Sequence, residues 1–266
     1  MQKNRCVAIY LYMLLSTIKN IKALPSLQPL PKVTALFTKL VSEVVAEPDV
    51  TIDEQTCQTI RRLASIAEMQ MELFWAKKII ASPTPAKTLL SFPYHSNYRE
   101  LVRREIVLIE KSGGRLTNGS RVLMVGAGPL PLTSLELAAQ RGVCVDHIDV
   151  SLSALAMCSL VSNCLGLACG HILGNGASAT LTNTYDVVVI AALAGKTVKQ
   201  KQAIIHNILP RLAQNGRILL RSAYGTRTLL YPGIPATTFS RVTLLEEYHP
   251  QDNIINSVFI YKKEEA

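Results

Sequence analysis

From residue 120 onward, the sequence alternates short β-rich apolar runs with helical segments, and this alternation constrains the fold more than any other feature. Buried strands that alternate with helices form a parallel sheet covered on both faces. The pattern therefore predicts a doubly wound α/β domain, closed by an antiparallel strand at its C-terminal edge. The runs expected to form strands are 121–125, 145–150, 186–190, 217–221, 241–248 and 254–261, and the expected helices are 132–141, 153–165 and 199–212.

The first 110 residues follow a helical pattern instead. Apolar residues recur at helical spacing in 33–45 and 57–80, and a further helix is expected at 97–111. Asp53 stands just ahead of the long helix, where an N-cap residue belongs. We expect an all-α N-terminal domain over residues 1–115 and a Rossmann-like domain over 116–266.

The basic charge gives little reason to expect a nucleic-acid partner. The formal net charge is +9, but no block of five like charges occurs and aromatic residues make up only 6% of the chain. No apolar stretch is long enough to span a membrane, so no membrane partner is expected either. A small-molecule partner with anionic groups is the better expectation, and a homodimer stays open.

The six cysteines form no CxxC pair, and no histidine lies at a spacing that would complete a zinc site. We therefore expect the cysteines to be buried structural thiols, and we predict no metal site. Free thiols are typical of a reducing compartment, so a cytoplasmic location is expected. The apolar run at 6–15 follows two basic residues, like a secretory signal, but no small-x-small cleavage site follows, and an amphipathic helix is expected there.

A glycine turn between the first predicted strand and the next helix is built to approach a ligand. Gly126 and Gly128 allow close backbone contact, and helix N–H groups point toward the same place. Pro131 occupies the position of the third glycine in a dinucleotide fingerprint, which disfavours NAD and FAD. Asp149 ends the second predicted strand, where a carboxylate can accept both hydroxyls of a ribose or, alternatively, cap the following helix.

Two glycines without a third, followed by this acid, resemble the S-adenosylmethionine site of class I methyltransferase-like folds. The resemblance implies that S-adenosylmethionine is the co-substrate. The acidic residue that usually contacts adenine after the third strand is not evident here, and the amide of Asn175 is the candidate for a hydrogen bond to the adenine edge. The residues expected to bind the co-substrate are Gly126, Ala127, Gly128, Pro129, Asp149, Asn175, Gly176 and Ala177.

Seven segments, in order along almost the whole chain, are similar to the nicotianamine synthase family. They are LPSLQP (24–29), LFTKLV (36–41), FPYHSNY (92–98), GAGPLPLTS (126–134), YDVVVIAALAGK (185–196), RSAYGTRTLLYP (221–232) and YHPQDNIINSV (248–258). This resemblance implies an enzyme that moves the 3-amino-3-carboxypropyl group of S-adenosylmethionine to an amine, releases methylthioadenosine and makes nicotianamine or a related metallophore. The sulfonium is already an excellent leaving group, so the transfer is expected to need no metal.

The acceptor amine must lose a proton before it attacks, which requires a carboxylate or phenol nearby. Glu68 and Glu72 lie four residues apart on the long predicted helix, and Tyr94 and Tyr98 belong to the FPYHSNY segment. The family uses a Glu from this helix and a Tyr from this segment around the amine. We favour Glu72 with Tyr98, although the spacing alone also permits the other pair and an exposed helix face.

Substrate carboxylates need cationic or amide partners, because an unpaired buried charge is costly. Arg221, at the end of the fourth parallel strand, and Arg227 are the main candidates, with ordinary ion pairs as the alternative. The other residues expected to contact substrate are Asn97, Ser222, Tyr231 and His249.

Three other activities remain open from the sequence. One is a single aminobutyrate transfer to histidine or glutamate, as in opine-type metallophores. Another is a true methyltransferase, which the helical N-terminal half disfavours. The third is a protein that binds S-adenosylmethionine without turnover.

Overall fold

The computed structural model describes residues 2–46, 50, 52–236 and 239–264. In this part of the chain, five helices precede a region in which strands and helices alternate. The helices of the first region are α1 (Gln2–Lys22), α2 (Pro31–Ala46), α3 (Glu54–Ile80), α4 (Pro85–Leu90) and α5 (His95–Lys111). The second region contains β1 (Arg121–Val125), α6 (Leu132–Arg141), β2 (Cys144–Asp149), α7 (Leu152–Cys164), β3 (Cys169–Leu173), β4 (Tyr185–Ile190), α8 (Val198–Ile208), β5 (Leu212–Ser222), β6 (Val242–Tyr248) and β7 (Ser257–Lys263).

Local sequence signals explain where the helices begin. Asp53 accepts a hydrogen bond from the Thr56 backbone N–H over 2.8 Å, so it is the N-cap of α3, as its position predicts. Pro31 opens α2, where its missing N–H leaves no helix hydrogen bond unmade. Helix α4 has only six residues, too few for a helical period to be visible in the sequence.

The seven strands form one sheet in the order β3-β2-β1-β4-β5-β7-β6. The first five are parallel to their neighbours, and β7 runs antiparallel to both β5 and β6. This confirms the doubly wound α/β fold with an antiparallel C-terminal edge. The chain reverses its direction of winding between β1 and β4, and a crevice opens at the carboxyl ends of strands at such a point.

Strand β3 is the one strand that the apolar runs do not indicate. It contains Gly170 and His171 and lies at an edge of the sheet, where its residues are only partly buried. An edge strand needs no continuous apolar run, because one side faces solvent.

Both faces of the sheet are covered. One face packs against Ile204, Ile205 and Ile208 of α8, and the other packs against α5 through Leu101 and Ile106. Helix α5, from the predicted helical domain, therefore forms part of one layer of the α/β fold. A domain boundary near residue 115 stays a prediction.

Helix α3 connects the remaining helices to the sheet. Its first half packs with α1, α2 and the turn at Leu229–Leu230, and its second half packs through Trp75 and Ile79 near Val161 of α7. This path carries the middle of α3 across the carboxyl ends of the parallel strands. None of the described helices is both long and apolar enough to cross a membrane.

Candidate functional site

A cavity of about 670 Å³ opens at the carboxyl ends of β1, β2 and β4, under the middle of α3. It lies at the switch point of the sheet, where open α/β folds bind ligands. Most of the residues predicted to bind the co-substrate line it. These are Gly126, Ala127, Gly128, Asp149, Asn175, Gly176 and Ala177, and Leu130 and Pro131 line it in place of Pro129.

The glycine turn needs its glycines for two reasons. Gly126 and Gly128 have φ angles of 83° and 66°, in the left-handed region that favours glycine. A Cβ on Gly126 would also stand 2.9 Å from the Ala194 Cβ, and one on Gly128 would stand 2.7 Å from Glu72 Oε2. The backbone of the turn therefore comes into direct contact with α3.

Asp149 fastens this turn. Its carboxylate accepts hydrogen bonds from the Gly128 N–H and the Ser151 N–H, each over 2.9 Å. The helix-cap interpretation of Asp149 is wrong, because Ser151 caps α7 through a hydrogen bond from the Ala154 N–H. Asp149 thus faces the cavity while it holds the glycine turn in place.

The Asn175 turn forms another part of the wall. The Asn175 side-chain oxygen accepts from the Ala177 N–H over 2.9 Å, which fixes the turn after β3. The Asn207 amide supports it from outside by donating to the Gly176 carbonyl over 3.0 Å. The side-chain oxygen of Asn175 is therefore committed to the turn, and contact with an adenine edge stays a prediction.

A second cavity, of about 390 Å³, lies on the other side of α3. Tyr94 and Asn97 line this cavity and not the larger one. The residues that line both cavities are Glu68, Glu72, Tyr98, Tyr231 and Asn256. These five residues, called the shared wall below, stand where a group in one chamber can meet a group in the other.

The acids of the shared wall bind protons unusually tightly. Burial raises the pKa of Glu72 well above its ordinary value, and the nearby carboxylates of Glu68 and Asp149 raise it further. Burial also raises the pKa of Glu68, although the hydrogen bond from Tyr231 and the charge of Arg221 oppose this rise. The carboxyl groups of Glu68, Glu72 and Asp149 in one desolvated site favour binding of a positively charged ligand.

The two tyrosines of the shared wall stay as neutral phenols. Burial raises the pKa of Tyr98 and of Tyr231 well above the usual range, and Glu68 adds to both rises. The Tyr231 hydroxyl donates to Glu68 Oε1 over 2.7 Å. Both tyrosines can therefore donate a hydrogen bond and do not act as bases, and Tyr231 already donates to Glu68.

Arg221 lines the larger cavity, but its charge is already paired. Its guanidinium donates to both oxygens of Glu105 over 2.7 and 2.8 Å, and also to the Thr133 hydroxyl over 2.9 Å. Both members of the ion pair are buried. The sequence gives no sign of Glu105 because it lies in a helix rich in charged residues, where it resembles an exposed side chain.

Three residues predicted to contact substrate line neither cavity. Arg227 donates to the carbonyls of Asp252 and Ile254 over 2.7 and 3.2 Å, and so holds the loop before β7. The Ser222 hydroxyl donates to the Ile234 carbonyl over 2.7 Å. The His249 ring is hydrogen-bonded to the Ser257 hydroxyl at 2.8 Å. All three have structural partners, so the structure assigns them to loop anchoring.

Lys201 supports a loop that lines the larger cavity, and this role could not be predicted from the sequence. The side chain is fully buried, and its ammonium donates to the Ala191 carbonyl over 2.6 Å, next to a loop that lines the cavity. Burial, with some help from Arg221, lowers the pKa of Lys201 to about 7. A lysine on an amphipathic helix is normally expected to be exposed, so nothing in the sequence indicates that Lys201 is buried.

The family described as nicotianamine synthase protein matches residues 2–266. The chain belongs to the nicotianamine synthase family. Nicotianamine synthase 2 of Oryza sativa subsp. japonica is 34% identical over 258 residues, and the match covers 91% of this chain and 79% of the relative. The enzyme is therefore an S-adenosylmethionine-dependent aminocarboxypropyl transferase, as the seven sequence segments imply.

Solved structures of a nicotianamine synthase share the fold. A mutant of MtNAS in complex with S-adenosylmethionine has a TM-score of 0.79 and 24% identity, and the match covers 96% of this chain and 98% of MtNAS. MtNAS in complex with MTA and tNA has a TM-score of 0.79 and 22% identity, over 97% of this chain and 99% of that one. The expected Rossmann-like domain of methyltransferase type, preceded by helices, is confirmed.

Proposed function

We propose that this nicotianamine synthase binds S-adenosylmethionine in the larger cavity and the acceptor amine in the smaller one, and that the two react at the shared wall. The observation that carries the proposal is that Glu68, Glu72, Tyr98, Tyr231 and Asn256 line both chambers. The complexes of MtNAS with S-adenosylmethionine and with MTA and tNA support this pair of occupants. Synthesis of nicotianamine is the activity that family membership supports, and it is favoured over a single transfer to histidine or glutamate.

The larger cavity fits the co-substrate in size and in chemistry. A volume of about 670 Å³ is within the range of small-molecule sites. In our proposal, the adenosine lies against the glycine turn, with Asp149 near the ribose and the Asn175 turn near the adenine. The sulfonium and the amino group then reach toward Glu72 and Glu68, and these two cationic groups favour the ionised form of carboxyl groups whose pKa burial raises in the empty site.

Position decides which carbon of the sulfonium reacts. All three carbons attached to sulfur are activated, so the product depends on where the acceptor nitrogen is held. A nitrogen held at the shared wall meets the aminocarboxypropyl arm because Glu72 stands within contact of the glycine turn. The acceptor nitrogen forms a bond to the side-chain γ-carbon, the bond from that carbon to sulfur breaks, and methylthioadenosine leaves with the electron pair.

Glu72 is the proposed base. Its raised pKa makes the carboxylate a stronger proton acceptor than an exposed glutamate, so it takes the proton that the acceptor amine loses. Tyr98, a neutral phenol next to Glu68 and Glu72, orients the amine by hydrogen bonding. Glu68 and Tyr231 hold the neighbouring part of the wall, and Tyr94 and Asn97 line the acceptor chamber.

Arg221 is proposed to help bind the substrate carboxylate mainly because its guanidinium is held in a fixed position. Glu105 largely balances the charge of Arg221. A carboxylate bound beside Arg221 is therefore attracted less strongly than it would be by an unpaired buried cation. Any direct contact with substrate comes from a guanidinium that Glu105 and Thr133 already hold rigid. The pair therefore gives the end of the larger cavity a fixed shape.

The remaining features of the enzyme follow from the same chemistry. The transfer itself needs no metal, because the sulfonium is a good leaving group. The five cysteines whose side chains the structure describes are free thiols, which favours the cytoplasm. Substrates are small amino-acid derivatives, and the dispersed positive charge gives no reason to add nucleic acid as a partner.

The test is an incubation of the purified enzyme with S-adenosylmethionine, followed by mass spectrometry. We expect methylthioadenosine and nicotianamine without any added amino acid. Products that appear only after addition of histidine or glutamate would overturn nicotianamine synthesis, and S-adenosylhomocysteine would indicate methyl transfer. Absence of methylthioadenosine from every mixture would contradict the enzymatic assignment itself.

A further inference from the structure

Three side chains that commonly bind metals meet at the edge of the sheet, away from both cavities. They are His147 on β2, Cys158 on α7 and His171 on β3, and one ligand atom of each lies within 4.8 Å of the others. This is the single such group among the described residues, and it brings together histidine and cysteine side chains that lie at no zinc-like spacing in the sequence. The sequence hides the group because its members come from three separate elements.

The environment of His147 indicates a missing partner. The residue is fully buried, and its Nε2 atom is hydrogen-bonded to the Ser134 hydroxyl at 2.9 Å. Its Nδ1 atom is buried with no hydrogen-bond partner. Leaving such an atom unsatisfied costs roughly 1–3 kcal/mol. The hydrogen bond to Ser134 also fixes the ring, and metal-binding histidines are commonly held in the same way through their second ring nitrogen.

Cys169 lies next to this group of three. Its Sγ lies 3.7 Å from His171 Nε2, and the two residues are separated by one position on β3. The rings of His147 and His171 are 5.2 Å apart between centroids. Zinc bound to nitrogen and sulfur keeps its ligand atoms roughly 3.5 Å apart, so the three grouped side chains, whose ligand atoms lie within 4.8 Å of one another, need only small movements to close around a metal.

We propose that His147, Cys158, Cys169 and His171 form a tetrahedral site for a borderline-soft divalent cation of the Zn²⁺ class. Two sulfur and two nitrogen ligands select such a metal over hard cations such as Mg²⁺ or Ca²⁺. The metal displaces the protons of both thiols, and the two thiolates balance its charge. His147 and Cys158 are inaccessible to solvent, whereas His171 and Cys169 are partly exposed and provide the access route.

The site would tie α7 to β2 and β3, the two strands that lead into the wall of the larger cavity. His147 is two residues before Asp149 on β2, and β3 ends just before the Asn175 turn. A metal that ties β2, α7 and β3 together therefore stiffens the wall that faces adenosine. Its role is structural and separate from the transfer reaction.

The test uses the full-length enzyme, dialysed free of metal and kept without S-adenosylmethionine, so that no chelating product forms. We expect about one Zn²⁺ to bind per chain. With Co²⁺ as the probe, we expect the visible absorption of a tetrahedral complex and a thiolate-to-cobalt charge-transfer band. Thermal unfolding should shift to higher temperature when Zn²⁺ is added.

Substitutions separate this site from adventitious binding. Cys158→Ser and His171→Gln should each weaken Zn²⁺ binding at least about 10-fold and remove the shift in unfolding temperature. Cys57→Ser and His206→Gln are matched controls, because these residues lie elsewhere, in α3 and α8. Absence of the charge-transfer band from the wild-type enzyme, or unchanged Zn²⁺ affinity in both cluster variants, would overturn the proposal. The wild-type spectrum decides even if a variant does not fold.

Discussion

The Tyr231 hydroxyl donates a hydrogen bond to the Glu68 carboxylate across 2.7 Å, and so joins the loop after β5 to the middle of α3. The bond favours the ionised form of Glu68, and it opposes the rise in pKa that burial causes. It therefore helps to keep a carboxylate charged between the two chambers. A charged carboxylate at this place can hold a cationic amine.

The first prediction concerns this hydrogen bond. Tyr231→Phe should raise the pKa of Glu68 further, because the ionised carboxylate loses a donor. The acidic limb of kcat/KM against pH should then move to higher pH by about one unit, with most activity retained on the alkaline side. Tyr12→Phe, at an exposed tyrosine of α1, is the control and should leave the profile unchanged. An unshifted limb in Tyr231→Phe would show that the ionisation of Glu68 in the free enzyme does not control kcat/KM.

The contact between the glycine turn and α3 gives a second prediction. Gly128→Ala places a methyl group 2.7 Å from Glu72 Oε2, and it should raise KM for S-adenosylmethionine at least about 10-fold. Gly166→Ala is the matched control, because its φ of +68° is close to the +66° of Gly128 but nothing lies within 4 Å of its Cβ. The control should lose about 1 kcal/mol of stability and keep its KM. A KM for Gly128→Ala equal to that of the Gly166→Ala control would show that the contact with Glu72 does not shape the co-substrate site.

A third prediction tests the buried ion pair. Glu105→Gln leaves the Arg221 charge buried without a full partner, and it should lower the free energy of unfolding by about 3–5 kcal/mol. Glu110 lies on the same helix as Glu105, and it is an exposed partner of Arg141. Glu110→Gln should lower the free energy of unfolding by less than about 1 kcal/mol. Chemical denaturation of the two variants measures the difference. Similar losses would contradict a special role for the buried pair.

The raised pKa of Glu72 predicts a dependence of stability on pH. Below pH 4.5, the ordinary pKa of glutamic acid, the carboxyl group is protonated in both the folded and the unfolded chain and has no effect. As the pH rises above that value, the unfolded chain loses the proton first, so this group progressively destabilises the fold. Glu72→Gln should therefore unfold at an increasingly higher temperature than the wild type as the pH rises above 4.5, in the absence of ligand. A difference independent of pH would show that Glu72 is not forced to stay protonated.

The sequence predicts the alternating strands and helices because buried strands carry long apolar runs and helices carry a clear period. Gly126, Gly128 and Asp149 are predictable as well, because they lie at the ends of the first two strands, where the fold brings them together. The partners of Arg221 and Lys201 are not predictable in this way. Glu105 and Ala191 reach them only through the packing of separate elements.

The same limit explains the residues with other roles. Arg227 and His249 come shortly after the ends of β5 and β6, where substrate-binding residues are often found. The Arg227 side chain nevertheless binds a loop carbonyl, and the His249 ring binds the Ser257 hydroxyl. The shared wall shows the opposite case. Glu72 and Tyr98 lie on different helices, and it is the path of α3 over the sheet that brings both to the same two cavities.

The central claim is that Glu72 accepts the proton of the acceptor amine at the shared wall. The most direct test is the rate of methylthioadenosine release by the wild type, by Glu72→Gln and by Glu54→Gln, an exposed glutamate of the same helix. We predict that Glu72→Gln lowers kcat by about 100-fold or more while the folded structure is kept, and that Glu54→Gln matches the wild type. A Glu72→Gln enzyme that releases methylthioadenosine at the wild-type rate would contradict the account.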